Sequence, residues 1–434
     1  RSLGAPKLLV LGLQHMFAMF GATVLVPALT GLSVSATLLF AGLGTLFFHF
    51  LTKGKVPAFL GSSFAYLAGY AAIAPNGEAA LLPYACVGVA ASGLLYLILA
   101  ALVRGFGANR VMRFFPPVVT GPIIICIGMT LANSAINNCT GSWDIALVAI
   151  LTVVIFNIWG KGMLRIIPIL LGVLVSYVYA AVTGRVDFSG VASAAWIGLP
   201  VKMENTVFSL IGNCDANLLV TAIIAIMPIA FATMIEHIGD ICAISSTVGA
   251  NFIADPGLHR TLLGDGLATS IASLFGAPAN TTYGENTGVL ALTRVYDPLV
   301  IRLAAVYAII ASFCPKFAAL VSAMPTGTIG GVSLILYGMI SAIGVRNLVE
   351  NRVDLAKSRN VIVVSLIISL ALGITFSAAG AITFHVGEFT LNFSGLAVAA
   401  IVGIVVNAIL PGKDYDFQND YEYGKTTEDH GQML

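Results

Sequence analysis

The chain is a succession of apolar runs with little between them, and that pattern limits its possible folds more than any motif does. Runs can be drawn at about 8–29, 35–52, 56–74, 81–103, 115–134, 145–159, 164–183, 216–246, 260–275, 277–293, 297–324, 326–345, 360–379 and 394–410. Most approach the roughly 20 residues needed to cross a hydrocarbon core about 30 Å thick. With 58% hydrophobic and only 9% charged residues, the chain cannot offer water enough polar surface to be an ordinary soluble domain. The expectation is an all-α polytopic membrane protein of fourteen transmembrane segments.

The distribution of Lys and Arg gives the orientation. With both termini inside, cytoplasmic connections and termini hold seventeen Lys and Arg, whereas outer connections hold only Arg185 and Lys202. An even number of spans follows. A net charge of +1 gives no reason to expect a nucleic-acid partner. Phosphate-loop, HExxH and GxSxG motifs are missing from the sequence, so neither ATP-driven pumping nor hydrolytic chemistry is expected, and neither is a metal or cofactor. The six cysteines are scattered without ligand spacing and read as small buried apolar residues, Cys139 and Cys214 being the pair that an outer-side bridge could join. The chain begins at Arg1, which reads as a trimmed start without a cleavable leader. Residues 184–213 form a long outer segment that suits either strand or interfacial helix, and the tail at 412–434 is expected to be disordered.

Two runs are poor continuous helices. The third is interrupted at Gly61-Ser62-Ser63, and the tenth opens with a polar stretch from Asn280 to Thr287 inside Gly276–Arg294. Polar backbone survives at membrane depth only where protein buries it or it lines a cavity. The two interruptions also correspond. Gln14-His15 precedes Ser62-Ser63-Phe64 as Glu236-His237 precedes Thr281-Thr282-Tyr283, at an offset of 219 to 222 residues. Seven spans per half would invert the second copy, giving a 7+7 inverted repeat with broken spans 3 and 10 around a mid-membrane site.

Glu236 and Asp240 lie one helical turn apart and share a face, from which His237 points away. An acid near the bilayer centre costs on the order of 3 kcal/mol, which makes each a functional hypothesis. Asp265 is a further intramembrane acid, read either as a partner to the site or as a cap near the start of the ninth span. Burial and a second acid nearby raise a carboxyl pKa, and a group so raised can carry a proton as access alternates. The broken helices would present free N–H groups at Phe64 and Gly284. Phe64 and Tyr283 offer rings for stacking. Donors, acceptors and rings together suit a small planar ligand such as a nucleobase. His15 reads as a hydrogen-bonded strut between helices.

At these residues the chain resembles the nucleobase-ascorbate transporter family of uracil and xanthine permeases, over nearly its whole length. Glu285-Asn286-Thr287-Gly288 with Thr293-Arg294 fits the family signature, Gln14-His15 its first-span motif, and GSSFAY and NTTYGEN its paired broken spans. The resemblance implies a core domain of spans 1–4 and 8–11 (residues 1–103 and 214–325). It also implies a gate domain of spans 5–7 with the outer loop and spans 12–14 (104–213 and 326–411), and a homodimer formed through the gate. It carries substrate binding over to Glu236, Glu285, Phe64, Gly284 and Ala22 and the coupling residue to Asp240; the reading of the residues adds Tyr283 to the binding set, Glu236 and Asp265 to proton coupling, and Gln14, His15, Ser63, Asn286 and Thr287 as supporting groups. Some members carry histidine where Asp240 stands. An acid at position 285 suits the N–H groups of a pyrimidine, so the expected function is proton-coupled uracil uptake across a bacterial cytoplasmic membrane. A xanthine or uric acid permease and an anion transporter of the sulfate type are the alternatives.

Overall fold

The structure, a computed structural model, describes residues 4–387 and 389–413. Its first half runs α1 (Ala5–Thr30), α2 (Val34–Leu51), β1 (Leu60–Ser62), a 3-10 turn at Phe64–Tyr66, α3 (Leu67–Ile73), α4 (Leu82–Phe106), α5 (Ala108–Met112), α6 (Pro117–Cys139), α7 (Trp143–Trp159) and α8 (Pro168–Val182). The short α9 (Ser189–Ser193) lies in the outer segment. Then come α10 (Ala216–Ile226), α11 (Ala230–Val248), α12 (Leu258–Leu274), β2 (Asn280–Thr282), α13 (Glu285–Thr293), α14 (Pro298–Ser312), α15 (Pro315–Ser322), α16 (Thr326–Glu350), α17 (Ser358–Thr375), β3 (Ala381–Val386), β4 (Phe389–Ser394) and α18 (Gly395–Ile409).

Among the described residues, seven helices are long and apolar enough to cross a membrane, or eight if α14 and α15 are taken as one bent span, and four shorter helices are also apolar. Large apolar side chains face outward along them, among them Phe50, Ile158, Trp159 and Val182. Lipid is the solvent that such a surface fits.

The helix ends follow local chemistry. Asp215 caps α10 by accepting from the backbone N–H groups of Asn217 and Leu218, and Ser33 and Ser394 cap α2 and α18 in the same manner. α4 packs on α12, α2 on α14 and α1 on α14, while α6 packs on α16, α7 on α8 and α17 on α18. Glycine sets the closest approach. A Cβ on Gly128 of α6 would lie 2.1 Å from the Tyr337 carbonyl of α16, so only a hydrogen lets these backbones meet. Beside it Ser341 donates to the Ile125 carbonyl at 2.9 Å.

Four expectations change. The run at 297–324 is two helices bent by 89°, because Pro315 lacks the N–H that would continue α14 and forces Cys314 into an extended conformation. The outer segment is a loop carrying α9 and two 3-10 turns at Met203–Asn205 and Val207–Leu210, held down by Lys316, which donates to the Val191 carbonyl at 2.8 Å and lies over the Trp196 ring. The all-α expectation omitted the hairpin β3–β4, whose register runs from Ala381↔Ser394 to Val386↔Phe389. Alternation in AITFHV turning at Gly387 was its signal. Finally, Cys139 is buried, Cys214 is exposed, and both are free. The expected tail lies outside the described residues from position 414 onward.

Candidate functional site

The two interrupted spans meet. β1 and β2 pair antiparallel with Leu60↔Thr282, Gly61↔Thr281 and Ser62↔Asn280. Just beyond the strands, the Ser63 N–H donates to the Ala279 carbonyl at 2.9 Å and the Tyr283 N–H to the Phe59 carbonyl at 3.1 Å. Both pairs of equivalent positions, 59 and 279 and 63 and 283, are 220 residues apart, so the crossing is symmetric. Each extended stretch thus satisfies the other's backbone, which allows non-helical chain to persist in an apolar interior. Neighbouring helices complete the set. Thr45 of α2 accepts from the Leu60 N–H at 2.9 Å, Asp265 of α12 accepts from the Thr282 N–H at 2.8 Å, and Thr269 donates to the Asn280 carbonyl at 3.0 Å.

Helices restart on the far side of this crossing, at Phe64 and at Gly284–Glu285, where the leading N–H groups precede the first turn, while those of Asn286 and Thr287 already donate to the Tyr283 and Gly284 carbonyls. Gly284 belongs there for a steric reason: a Cβ on it would lie 2.8 Å from Asp240 Oδ1. The Asp240 carboxylate is therefore seated against the positive end of α13, where a helix dipole favours negative charge. Glu236 stands one turn earlier on α11, half-buried, and Asp240 is buried. The side chain of Glu285 lies outside the described residues; its backbone opens α13.

Phe64 is buried, and its ring meets Tyr337 of α16 edge-on at 5.7 Å between centroids. Sequence reasoning missed Tyr337; its signal was a phenol four residues after Ser333 in an apolar span. Ala22 is buried on α1, and Gln14 is buried near its start. Asn286 donates to the Pro57 carbonyl at 2.7 Å, tying α13 to the chain entering β1. Its Oδ1, Ser63 Oγ and Thr287 Oγ1 are buried atoms without hydrogen-bond partners among the described residues. A small cavity beside the crossing is lined by Ala65, Ala68, Ile127, Thr130, Thr375 and Ser394, none of them singled out from the sequence.

Three readings from the sequence change. Tyr283 belongs to the scaffold rather than to a stacking face. Its hydroxyl lies 3.1 Å from the Ser62 carbonyl and within 3.3 Å of Thr23 Oγ1 and Ser62 Oγ, and its ring covers Gly61. His15 is fully buried with no hydrogen-bond partner at either ring nitrogen among the described residues, so it is not a hydrogen-bonded strut. Asp265 is no helix cap: it lies within α12 at zero exposure and holds β2.

The covering of Gly61 yields a stability prediction. A Cβ there would lie 2.4 Å from Tyr283 Cζ, against a ring that three polar contacts hold in place. Gly61→Ala is expected to destabilise the protein by about 1–3 kcal/mol, the usual cost of overpacking. Thermal unfolding in detergent tests this, and an unchanged melting temperature would refute the packing described.

Outside the membrane-spanning segments, Lys55 and Asp255 form an exposed ion pair linking the loop after α2 to the loop after α11. Its hydrogen bond to Lys55 holds the Asp255 carboxyl below the usual range. Exposure to solvent keeps its contribution small.

A family model of the xanthine/uracil type, described as a permease family, matches residues 6–380. A uracil permease of Bacillus caldolyticus is 42% identical over 425 residues, covering 95% of this chain and 94% of that protein. A uracil permease of Escherichia coli K12 is 38% identical, covering 92% and 90%. Among solved structures, the transmembrane domain of a cyanobacterial bicarbonate transporter superposes with a TM-score of 0.63 at 13% identity, covering 92% of this chain and 96% of that one. A murine solute carrier 26 anion transporter in an inward-facing state gives 0.63 at 11% identity, covering 94% and 69%. At such low identity the structural likeness speaks for the fold alone.

Proposed function

This chain belongs to the xanthine/uracil permease family, and from that premise we propose that it carries uracil inward across a bacterial cytoplasmic membrane together with a proton, by alternating access. Family membership makes it a multi-pass membrane transporter rather than an enzyme. The observation that supports the finer reading is the seating of Asp240 of α11 against the start of α13, in a chain whose full-length relatives are named uracil permeases. In this reading fourteen segments form two inverted halves. Helices α1–α4 and α10–α15 make the core, α6–α8 and α16–α18 make the gate, a homodimer forms through the gate, and both termini are cytoplasmic. The symmetric strand crossing supports the inverted repeat.

Glu236 and Glu285 accept from the pyrimidine N–H groups, while the backbone N–H groups at Phe64 and Gly284 donate to its carbonyls. Ser63, Asn286 and Thr287 retain unused hydrogen-bonding capacity beside them, which a polar ligand can take up. Glu236 and Asp240 hold the coupling proton, and Asp265 supports them. An acidic site disfavours anions, so the likeness to bicarbonate and solute carrier 26 transporters is not extended to their cargo.

Ligand-induced thermal stabilisation across a nucleobase panel tests the substrate: uracil should give the largest shift. A larger shift with xanthine would replace the pyrimidine reading by the purine one. Glu285→Gln is expected to weaken uracil binding about tenfold or more, since a charge-assisted hydrogen bond contributes about 1.5–3 kcal/mol. Unchanged affinity in that variant would remove Glu285 from the site.

A further inference from the structure

His237 sits between two hydroxyls and a carboxylate, and counting their protons restricts its state. Its Nε2 lies 3.0 Å from Thr261 Oγ1, whose only proton points to the Leu258 carbonyl at 3.0 Å. Both contacts are satisfied only if Nε2 carries a proton and donates. On the other side of the ring, Nδ1 lies 3.0 Å from Thr282 Oγ1 and 3.3 Å from Asp265 Oδ2. Thr282 Oγ1 in turn lies 3.5 Å from Asp240 Oδ2, a long contact. The single Thr282 proton therefore has two takers. If it points to Asp240, then Nδ1 must donate and His237 is an imidazolium paired with Asp265. If it points to Nδ1, then His237 is neutral and Asp240 loses this donor.

Resting on the proton-coupled reading above, we infer that His237 is the reservoir from which Asp240 takes the coupling proton, across the Thr282 hydroxyl. In the transfer the Nδ1–H bond breaks as a new Oγ1–H bond forms, and the original Oγ1–H proton passes to Asp240 Oδ2. The imidazolium becomes neutral imidazole, the Asp240 carboxylate becomes a carboxylic acid, and Thr282 ends unchanged. The reverse transfer recharges His237. Around the ring stand Asp265 from α12 and the Tyr96 ring from α4 at 6.4 Å; Glu236 precedes His237 on α11, and Tyr66 reaches Thr233 of the same helix. Asp240 faces Thr282 and Gly284. Asp265 is the carboxylate nearest Nδ1, at 3.3 Å, and the Thr282 hydroxyl is the bridge between His237 and Asp240.

Thr282→Val removes the hydroxyl, suits a strand, and keeps the backbone N–H bonded to Asp265. Purified protein in lipid vesicles should then keep uracil binding and uracil–uracil exchange at equal pH. Accumulation driven by a pH gradient should fall about tenfold or more, the scale of a lost proton-transfer group. Thr282→Ser should restore it. His237→Gln, which keeps a donor for Thr261 but cannot hold a charge, should show the same split if the valine variant does not fold. Gradient-driven accumulation at the wild-type level in these variants would overturn the relay, as would an equal loss of binding, exchange and accumulation. Wild-type accumulation that ignored the gradient would instead overturn the coupled reading itself.

Discussion

Glu236→Gln is expected to abolish the accumulation of uracil driven by a pH gradient. The substitution is nearly isosteric, so the packing of α11 should survive, but the amide cannot take up or release a proton. Glu236 lies half-buried on a helix in an apolar segment, where keeping a carboxylate costs on the order of 3 kcal/mol. A structural role could be filled more cheaply by an amide or an apolar residue. Binding should also weaken, by about 1.5–3 kcal/mol, because a charged acceptor is replaced by a neutral one. Radiolabelled uptake into proteoliposomes checks the first effect and titration calorimetry the second. Wild-type accumulation by the variant would show that the coupling proton is held elsewhere.

Asp265→Ala should have the largest effect on the fold. Asp265 is fully buried, accepts from the Thr282 N–H at 2.8 Å and stands 3.3 Å from His237 Nδ1. Alanine would leave a strand N–H without its acceptor and a buried imidazole without its neighbouring carboxylate at the crossing on which both broken spans depend. Leaving a buried donor without its acceptor costs about 1–3 kcal/mol, most of it the penalty on the group left behind. Asp265→Asn should lose less, because its amide oxygen can still accept from Thr282. Thermal unfolding with and without uracil separates the two variants. An alanine variant that melts with the wild type would mean that Asp265 does not hold β2.

Those two predictions also mark what the sequence could and could not reveal. The interruptions at Gly61-Ser62-Ser63 and Asn280–Thr287 were visible because polar residues stand out in apolar runs, and their common offset foretold that the two stretches correspond. The structure pairs them directly. Helical spacing set His237 apart from Asp240, yet in the structure both reach the Thr282 hydroxyl, His237 turning also to Thr261.

Partners across the fold were not legible. That Tyr283 covers Gly61 depends on the antiparallel register of two strands remote in sequence, and no local pattern encodes that register. Tyr337 meets Phe64 from α16, a helix whose close approach to α6 rests on glycines such as Gly128. His15 looked like a strut because an intramembrane histidine usually finds a donor or acceptor, and here none among the described residues supplies either. The bend before Pro315 and the hairpin after α17 were local features, but hydropathy averaged over a long window conceals both.

The most direct test is uracil uptake by the purified protein in vesicles carrying an inward proton gradient, with xanthine as competitor. Uracil should concentrate inside, the accumulation should collapse when a protonophore dissipates the gradient, and excess xanthine should leave it largely intact. Accumulation indifferent to the protonophore, or displaced by xanthine ahead of unlabelled uracil, would contradict a proton-driven pyrimidine carrier built around Glu236 and Asp240.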